Sequence, residues 1–222
     1  MLALLHTSPV HVPVFDALRD RDHPGTPLRH LVHEELLERA VALGPEAVAG
    51  QVAEVIAGAV AEGAGAVLCT CSTLGAVAEA SAGAVGAPVL RVDRPMAAEA
   101  ARAGRRIVVV AALDSTLAPT AALIREEAGD VELRTVLAAG AWRRFLAGDR
   151  DGYLDAVAAA VDAVPEAGAD AIVLAQASMA DAAARTSTAV RVLSSPRPGL
   201  GAAVAASGLR ARKEAGTPAP GV

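Results

Sequence analysis

Short apolar runs separated by longer alanine-rich or amphipathic stretches recur along nearly the whole chain. Leu2-Leu5, Leu28-Val32, Ala66-Cys69 and Val89-Val92 read as strands, and Ile107-Ala111, Glu132-Leu137, Ala171-Leu174 and Val190-Leu193 form a second set. Between them, Glu34-Ala42, Pro45-Glu62, Thr73-Ala82, Arg94-Ala103, Ser115-Ala128 and Tyr153-Ala167 have the composition and spacing of helices. Strands that alternate with helices predict parallel βαβ units with helices on both faces of a sheet.

The second set echoes the first. The segment GAGAVLCTCSTLG (Gly63-Gly75) lies over GADAIVLAQASMA (Gly168-Ala180) without a gap, and the same offset places LRHLV (Leu28-Val32) over LRTVL (Leu133-Leu137). The expected architecture is an α/β fold of two pseudo-symmetric, flavodoxin-like lobes, each a four-stranded parallel sheet, facing one another across a cleft. Residues 1–93 with 194–206 form the first lobe, residues 94–193 form the second, and residues 207–222 form a disordered Gly- and Pro-rich tail.

Composition narrows the function. Hydrophobic residues make up 53% of the 222 residues and aromatics only 2%, so Ala, Val and Leu must fill the core. A net charge of -5 with no basic stripe argues against a nucleic-acid partner. No apolar run is long enough to span a membrane. The first residues lack the basic start of an export signal. The two cysteines, spaced C-x-C, do not suit a structural disulfide. A reduced, cytoplasmic protein is the expectation.

Open parallel sheets bind ligands beyond the carboxyl ends of their strands. The segments there are His6-Thr7-Ser8, His33, Thr70-Cys71-Ser72-Thr73, Asp114-Ser115-Thr116 and Gln176-Ala177-Ser178. Rich in hydroxyls and next to helix starts, they suit a small carboxylate. Cys69 falls inside a strand and reads as a small packing residue. Cys71, just past the strand at a helix mouth, has a setting that lowers a thiol pKa.

VLCTCSTLG, the doubled architecture and the opening LALLHTSP resemble the aspartate/glutamate/hydantoin racemase superfamily. The resemblance covers roughly Leu2 to Ala203. It implies a cofactor-independent, PLP- and metal-free isomerase in which one cysteine from each lobe transfers a proton at the substrate α-carbon, often in a homodimer. By position, Cys71 matches the first-lobe cysteine. Ser72, Thr73, Thr7 and Ser8 match its carboxylate-binding neighbours, and Asp114, Ser115 and Thr116 occupy the second-lobe loop. Gln176 stands where the second cysteine belongs, followed by Ala177 and Ser178.

Glutamine is not a base. Three readings follow from that departure. His6 or His33 replaces the second thiol, each following a first-lobe strand and able to pair with Cys71. Alternatively the site works from one side, as in the arylmalonate decarboxylases of the superfamily, whose single cysteine lies in the other lobe. Or Cys71 attacks a double bond or carbonyl, as in the maleate isomerases, with Gln176 and Ser178 stabilising an oxyanion. A binding protein that kept the cleft and lost catalysis is a fourth possibility.

The remaining residues have ordinary readings. His11, His23 and His30 are expected at the surface or in lobe packing, Asp114 as a helix cap, and Glu34 and Glu35 as first-turn acids. Arg143 and Arg144 beside Trp142 read as a solvated face. C-x-C without a second ligand pair is a poor zinc motif, and no Gly-rich phosphate loop occurs.

Overall fold

The computed structural model describes residues 1–208; from residue 209 onward the expected tail lies outside the described residues. Two four-stranded sheets are present. The first has the order β2-β1-β3-β4, built from β1 (Leu2–His6), β2 (Leu28–Val32), β3 (Ala66–Cys69) and β4 (Val89–Arg91). The second repeats it as β6-β5-β7-β8, from β5 (Arg106–Ala111), β6 (Glu132–Leu137), β7 (Ala171–Leu174) and β8 (Val192–Ser194). Every strand pair is parallel.

The ladders carry the sequence repeat. Leu2 pairs with Leu28 in the first sheet, as Ile107 pairs with Leu133 in the second. Leu2 pairs with Ala66 as Ile107 pairs with Ala171. The outer pairs slip: Val67 faces Val89, whereas Ile172 faces Val192, two residues short of the common offset. Accordingly β8 begins at Val192 rather than at the expected Val190.

Alternating strand residues supply two cores per sheet. Ala3, Leu5, Val67 and Cys69 pack under α2 (Glu34–Leu43), α3 (Ala49–Ala61) and α4 (Gly75–Ala80), with the short α5 (Ala82–Val85) against the same core. Leu2, Leu4, Ala66 and Leu68 meet Phe15 of α1 (His11–Asp22) and Leu200 and Val204 of α10 (Pro196–Ala206). The second sheet is likewise enclosed, by α6 (Arg94–Ala103) and α7 (Leu117–Ala128) on one face and α9 (Arg150–Asp162) on the other.

Local chemistry explains where helix boundaries depart from expectation. α9 starts at Arg150 because the Asp149 side chain accepts from Gly152 N–H, a cap that precedes the apolar period. It stops at Asp162, short of Pro165. The stretch from Pro45 opens as a tight 3₁₀ turn, Pro45–Val48, before α3 begins.

Candidate functional site

The strand order sets the location. In each sheet the chain runs to opposite sides from the two central strands, so the crevice lies past the ends of β1 and β3, and of β5 and β7. Both crevices open into one cavity of about 320 Å³. Thr7 and Ser8 enter it after β1, Thr70 to Thr73 after β3, Leu113 and Thr116 after β5, and Gln176 to Ser178 after β7. Ser72 Oγ donates to Ala175 O at 2.7 Å, joining the two crevices directly.

The rest of the wall mixes apolar side chains with two carboxylates, Glu34 and Glu38 of α2. Leu37 and Val41 of α2 and Trp142, Phe145 and Leu146 of α8 (Ala141–Leu146) supply its apolar part. The Trp142 and Phe145 rings stack at 4.8 Å. Among the described residues no Lys or Arg lines the cavity, so an anion there would be held by hydroxyls, amide N–H groups and imidazole.

Cys71 is a free thiol in the polar wall, 8% exposed. Burial pushes its pKa up, against hydrogen bonds from the Thr7 hydroxyl and the Leu74 and Thr73 N–H groups. The resting sulfur therefore carries its proton, contrary to the lowered pKa expected from a helix mouth. The reason is local: α4 begins only at Gly75 and spans six residues, too short and too far along to outweigh desolvation. Cys69 is fully buried within β3, its thiol also pushed up by burial, and its S–H donates to Cys71 O at 3.6 Å. It packs as the sequence suggested.

Gln176 is held in one orientation. Its Oε1 accepts from Ala112 N at 2.7 Å and Leu113 N at 3.1 Å, so the amide NH₂ is the group left for a ligand. Ser178 Oγ pairs with Tyr153 OH at 2.7 Å, and Thr116 Oγ1 donates to Leu113 O at 2.7 Å. Two residues of the wall each hold a buried polar atom without a protein partner, Thr73 Oγ1 and His11 Nδ1. Leaving such an atom unsatisfied costs roughly 1–3 kcal/mol.

Four of the residues singled out from sequence do not line this cavity: His6, His33, Asp114 and Ser115. His33 sits at the start of α2 and pairs with Glu35 at 2.8 Å, away from Cys71. Asp114 is exposed in a 3₁₀ turn and caps no helix, while Ser115 Oγ is buried without a partner. Conversely, His11, Trp142 and Phe145 reach the wall unannounced, because the helices that carry them were not read from the sequence. Arg143 and Arg144 stay out of it. Among the described residues, no group of three or more His, Cys, Asp or Glu is placed to hold a metal ion, and no helix is long and apolar enough to cross a membrane.

His6 lies behind the wall, fully buried. Its Nδ1 meets Thr70 Oγ1 at 2.8 Å and its Nε2 meets His30 Nδ1 at 2.8 Å, while His30 Nε2 lies 3.4 Å from Asp16 Oδ1. Burial, then the charges of His11 and His30, lower the His6 pKa to about 3, and burial lowers that of His11 to about 4. Both are neutral in the fold and near 6.5 when unfolded. Their contribution to stability is complete above pH 6.5 and is lost as pH falls toward 4, where only the unfolded chain takes up protons. Urea unfolding at pH 7 and pH 4.5 is expected to differ by about 2–3 kcal/mol for each histidine. Equal midpoints at the two pH values would contradict their burial as neutral rings.

Comparisons with known proteins agree with this architecture. A glutamate racemase from Francisella tularensis, solved with D-glutamate, superposes with a TM-score of 0.73 at 11% identity, covering 99% of this chain and 84% of that one. A glutamate racemase from Bacillus anthracis gives 0.72 at 15% identity, over 96% and 82%. An arylmalonate decarboxylase gives 0.59 at 21% identity, over 94% and 93%. At such identities these likenesses establish the fold. No curated protein sequence matches the chain. The family model described as Asp/Glu/Hydantoin racemase matches residues 13–203. On that match and this doubled fold, the chain belongs to the Asp/Glu/hydantoin racemase family.

Proposed function

We propose that this protein is a cofactor-independent racemase or isomerase of a small carboxylate, with Cys71 as a thiol that exchanges a proton with the substrate α-carbon. One observation carries the reading: Cys71 shares the cavity wall with Thr73, whose buried Oγ1 has no protein partner, and with Gln176, whose amide oxygen is already engaged, where the strand ends of both sheets meet. The family membership and the glutamate racemase structures point the same way.

The carboxylate would rest among Thr7, Ser8, Ser72, Thr73 and Ser178, where hydroxyls and backbone N–H groups supply hydrogen bonds without a fixed cation, Ser72 through its N–H because its hydroxyl already donates to Ala175 O. That choice suits the chemistry. Removing an α-proton turns the carboxylate into a more negative enediolate, and donors already aimed at its oxygens stabilise the growing charge without reorganising. Gln176 NH₂ can follow that charge, since its carbonyl is occupied by Ala112 and Leu113. Cys71, protonated at rest, would deliver a proton to the carbanion, and its thiolate would take one in the reverse direction.

The test is α-hydrogen exchange in D₂O, read by NMR over a panel of 2-amino and 2-aryl carboxylates. Incorporation of deuterium at the α-carbon is the expected result, and a panel left wholly protiated would overturn the reading.

A second reading is favoured by a specific feature, the stacked Trp142 and Phe145 rings in the wall of the cavity that Cys71 also lines. An aryl-substituted malonate would place its ring there, lose carbon dioxide, and take a proton from Cys71 on one face, the type of reaction named for the arylmalonate decarboxylase neighbour. Carbon dioxide release from phenylmalonate distinguishes it from the first.

A further inference from the structure

We infer that His11 is the second proton-handling residue of the cavity, acting with Cys71 in place of a second thiol. The inference rests on the reading above and assigns a residue to it.

His11 opens α1, on the loop that leaves β1, and it lines the main cavity. It also lines the smaller adjoining pocket, which it shares with Ala177 and Ser178, the two residues that follow Gln176. His11 belongs to the first sheet's chain segment but shares that pocket with residues that follow β7 of the second. Its side chain is nine-tenths buried, and Nδ1 has no partner in the protein. By contrast, His6 uses both ring nitrogens on Thr70 and His30, and His33 is paired with Glu35 outside the cavity. Of the histidines, His11 alone lines the cavity, and Gln176 is locked as a donor.

The protonation states are complementary. A buried, neutral imidazole offers a lone pair, and a buried thiol offers a proton. An anionic ligand raises the basicity of the imidazole beside it. In the forward direction a His11 ring nitrogen takes the α-hydrogen as a proton, and the C–H electron pair passes into the enediolate. The Cys71 S–H then protonates the carbon and leaves a thiolate. One C–H bond breaks and one forms, an N–H bond forms and an S–H bond breaks, and the resulting imidazolium and thiolate exchange protons with solvent to reset. The reverse direction uses the same two groups with their roles exchanged.

Both enantiomers of glutamate and of 2-phenylpropanoate, incubated separately in D₂O, provide the test, with deuterium content and enantiomeric ratio measured together for wild type, His11→Gln and His11→Asn. The expected result is that either variant lowers inversion by about 100-fold or more. Deuterium still enters one enantiomer with retention, through Cys71 alone. Inversion within about threefold of wild type would overturn the assignment. So would equal losses of exchange and inversion in variants whose unfolding midpoint is unchanged, since that would make His11 a shaping residue. A wild type that exchanges without inverting would reject the His11 inference and leave the Cys71 reading standing. A wild type that exchanges nothing would reject both.

Discussion

Cys71→Ser is expected to lower α-proton exchange by about 10³-fold, within the range that one positioned acid–base group contributes. A hydroxyl fits the same space and can keep the hydrogen bonds from Thr7, Thr73 and Leu74. It cannot, however, serve as a comparable acid or its conjugate base near neutral pH. Stability should therefore change by less than about 1 kcal/mol. Cys69→Ser gives the opposite pattern. Cys69 is fully buried between Ala3, Leu5 and Val67 of the first core, and a hydroxyl there is expected to cost roughly 1–3 kcal/mol in urea unfolding. Exchange should survive that substitution. A Cys71→Ser enzyme that exchanges at the wild-type rate would remove the thiol from the chemistry. The two members of C-x-C are thus expected to separate cleanly into one that reacts and one that packs.

Asp93→Ala carries the largest expected loss of stability, about 3–5 kcal/mol, the range for breaking a buried ion pair from one side. Arg91 Nε and Nη2 donate to Asp93 Oδ1 and Oδ2 at 2.7 and 2.9 Å, with side chains 4% and 0% exposed. Removing the carboxylate strands a guanidinium in the interior. Arg91 also pairs in register with Cys69, and a Cβ on Gly75 would come within 2.9 Å of Arg91 Nε. Glycine at position 75 lets α4 start against that guanidinium, directly after the Cys71 loop. Loss of Asp93 should loosen that loop as well as the fold. The double change Arg91→Leu with Asp93→Ala is expected to be less damaging than Asp93→Ala alone, because no unpaired charge remains. Equal or greater loss in the double variant, measured by urea midpoints, would show that the pair contributes more than its own neutralisation.

The architecture was largely legible because strands and repeat are local features. Ala66–Cys69 and Ala171–Leu174 are short apolar runs of branched and small residues that match at one offset, and both are central strands. Strand order was not legible, since nothing local specifies that β1 lies between β2 and β3. Cys71, Thr7, Ser8, Ser72, Thr73, Thr116, Gln176 and Ser178 line the cavity for a reason legible in the sequence: they follow central strands.

Histidines were the harder case. His6 follows the same strand as Thr7, yet its side chain turns inward to Thr70 and His30, a choice made by long-range partners. His11 belongs to α1, where Pro13 and charged Arg19 to Asp22 mask the helical pattern. The Gly148–Asp149 cap and the short α8 hid Trp142 and Phe145 in the same way. Asp114 and Ser115 missed the wall because the chain after β5 turns in a 3₁₀ loop that presents Leu113 and Thr116 instead.

The central claim is that the cavity presents Cys71 to a carboxylate, and the most direct measurement compares the alkylation rates of iodoacetate and iodoacetamide at Cys71, read by peptide mass spectrometry at one pH. The two reagents share a leaving group and differ in the carboxylate. The account predicts that iodoacetate modifies Cys71 faster than iodoacetamide does, relative to the same pair on free cysteine, and that Cys69 stays unmodified in the folded protein. A Cys71 that shows the free-cysteine preference would contradict it.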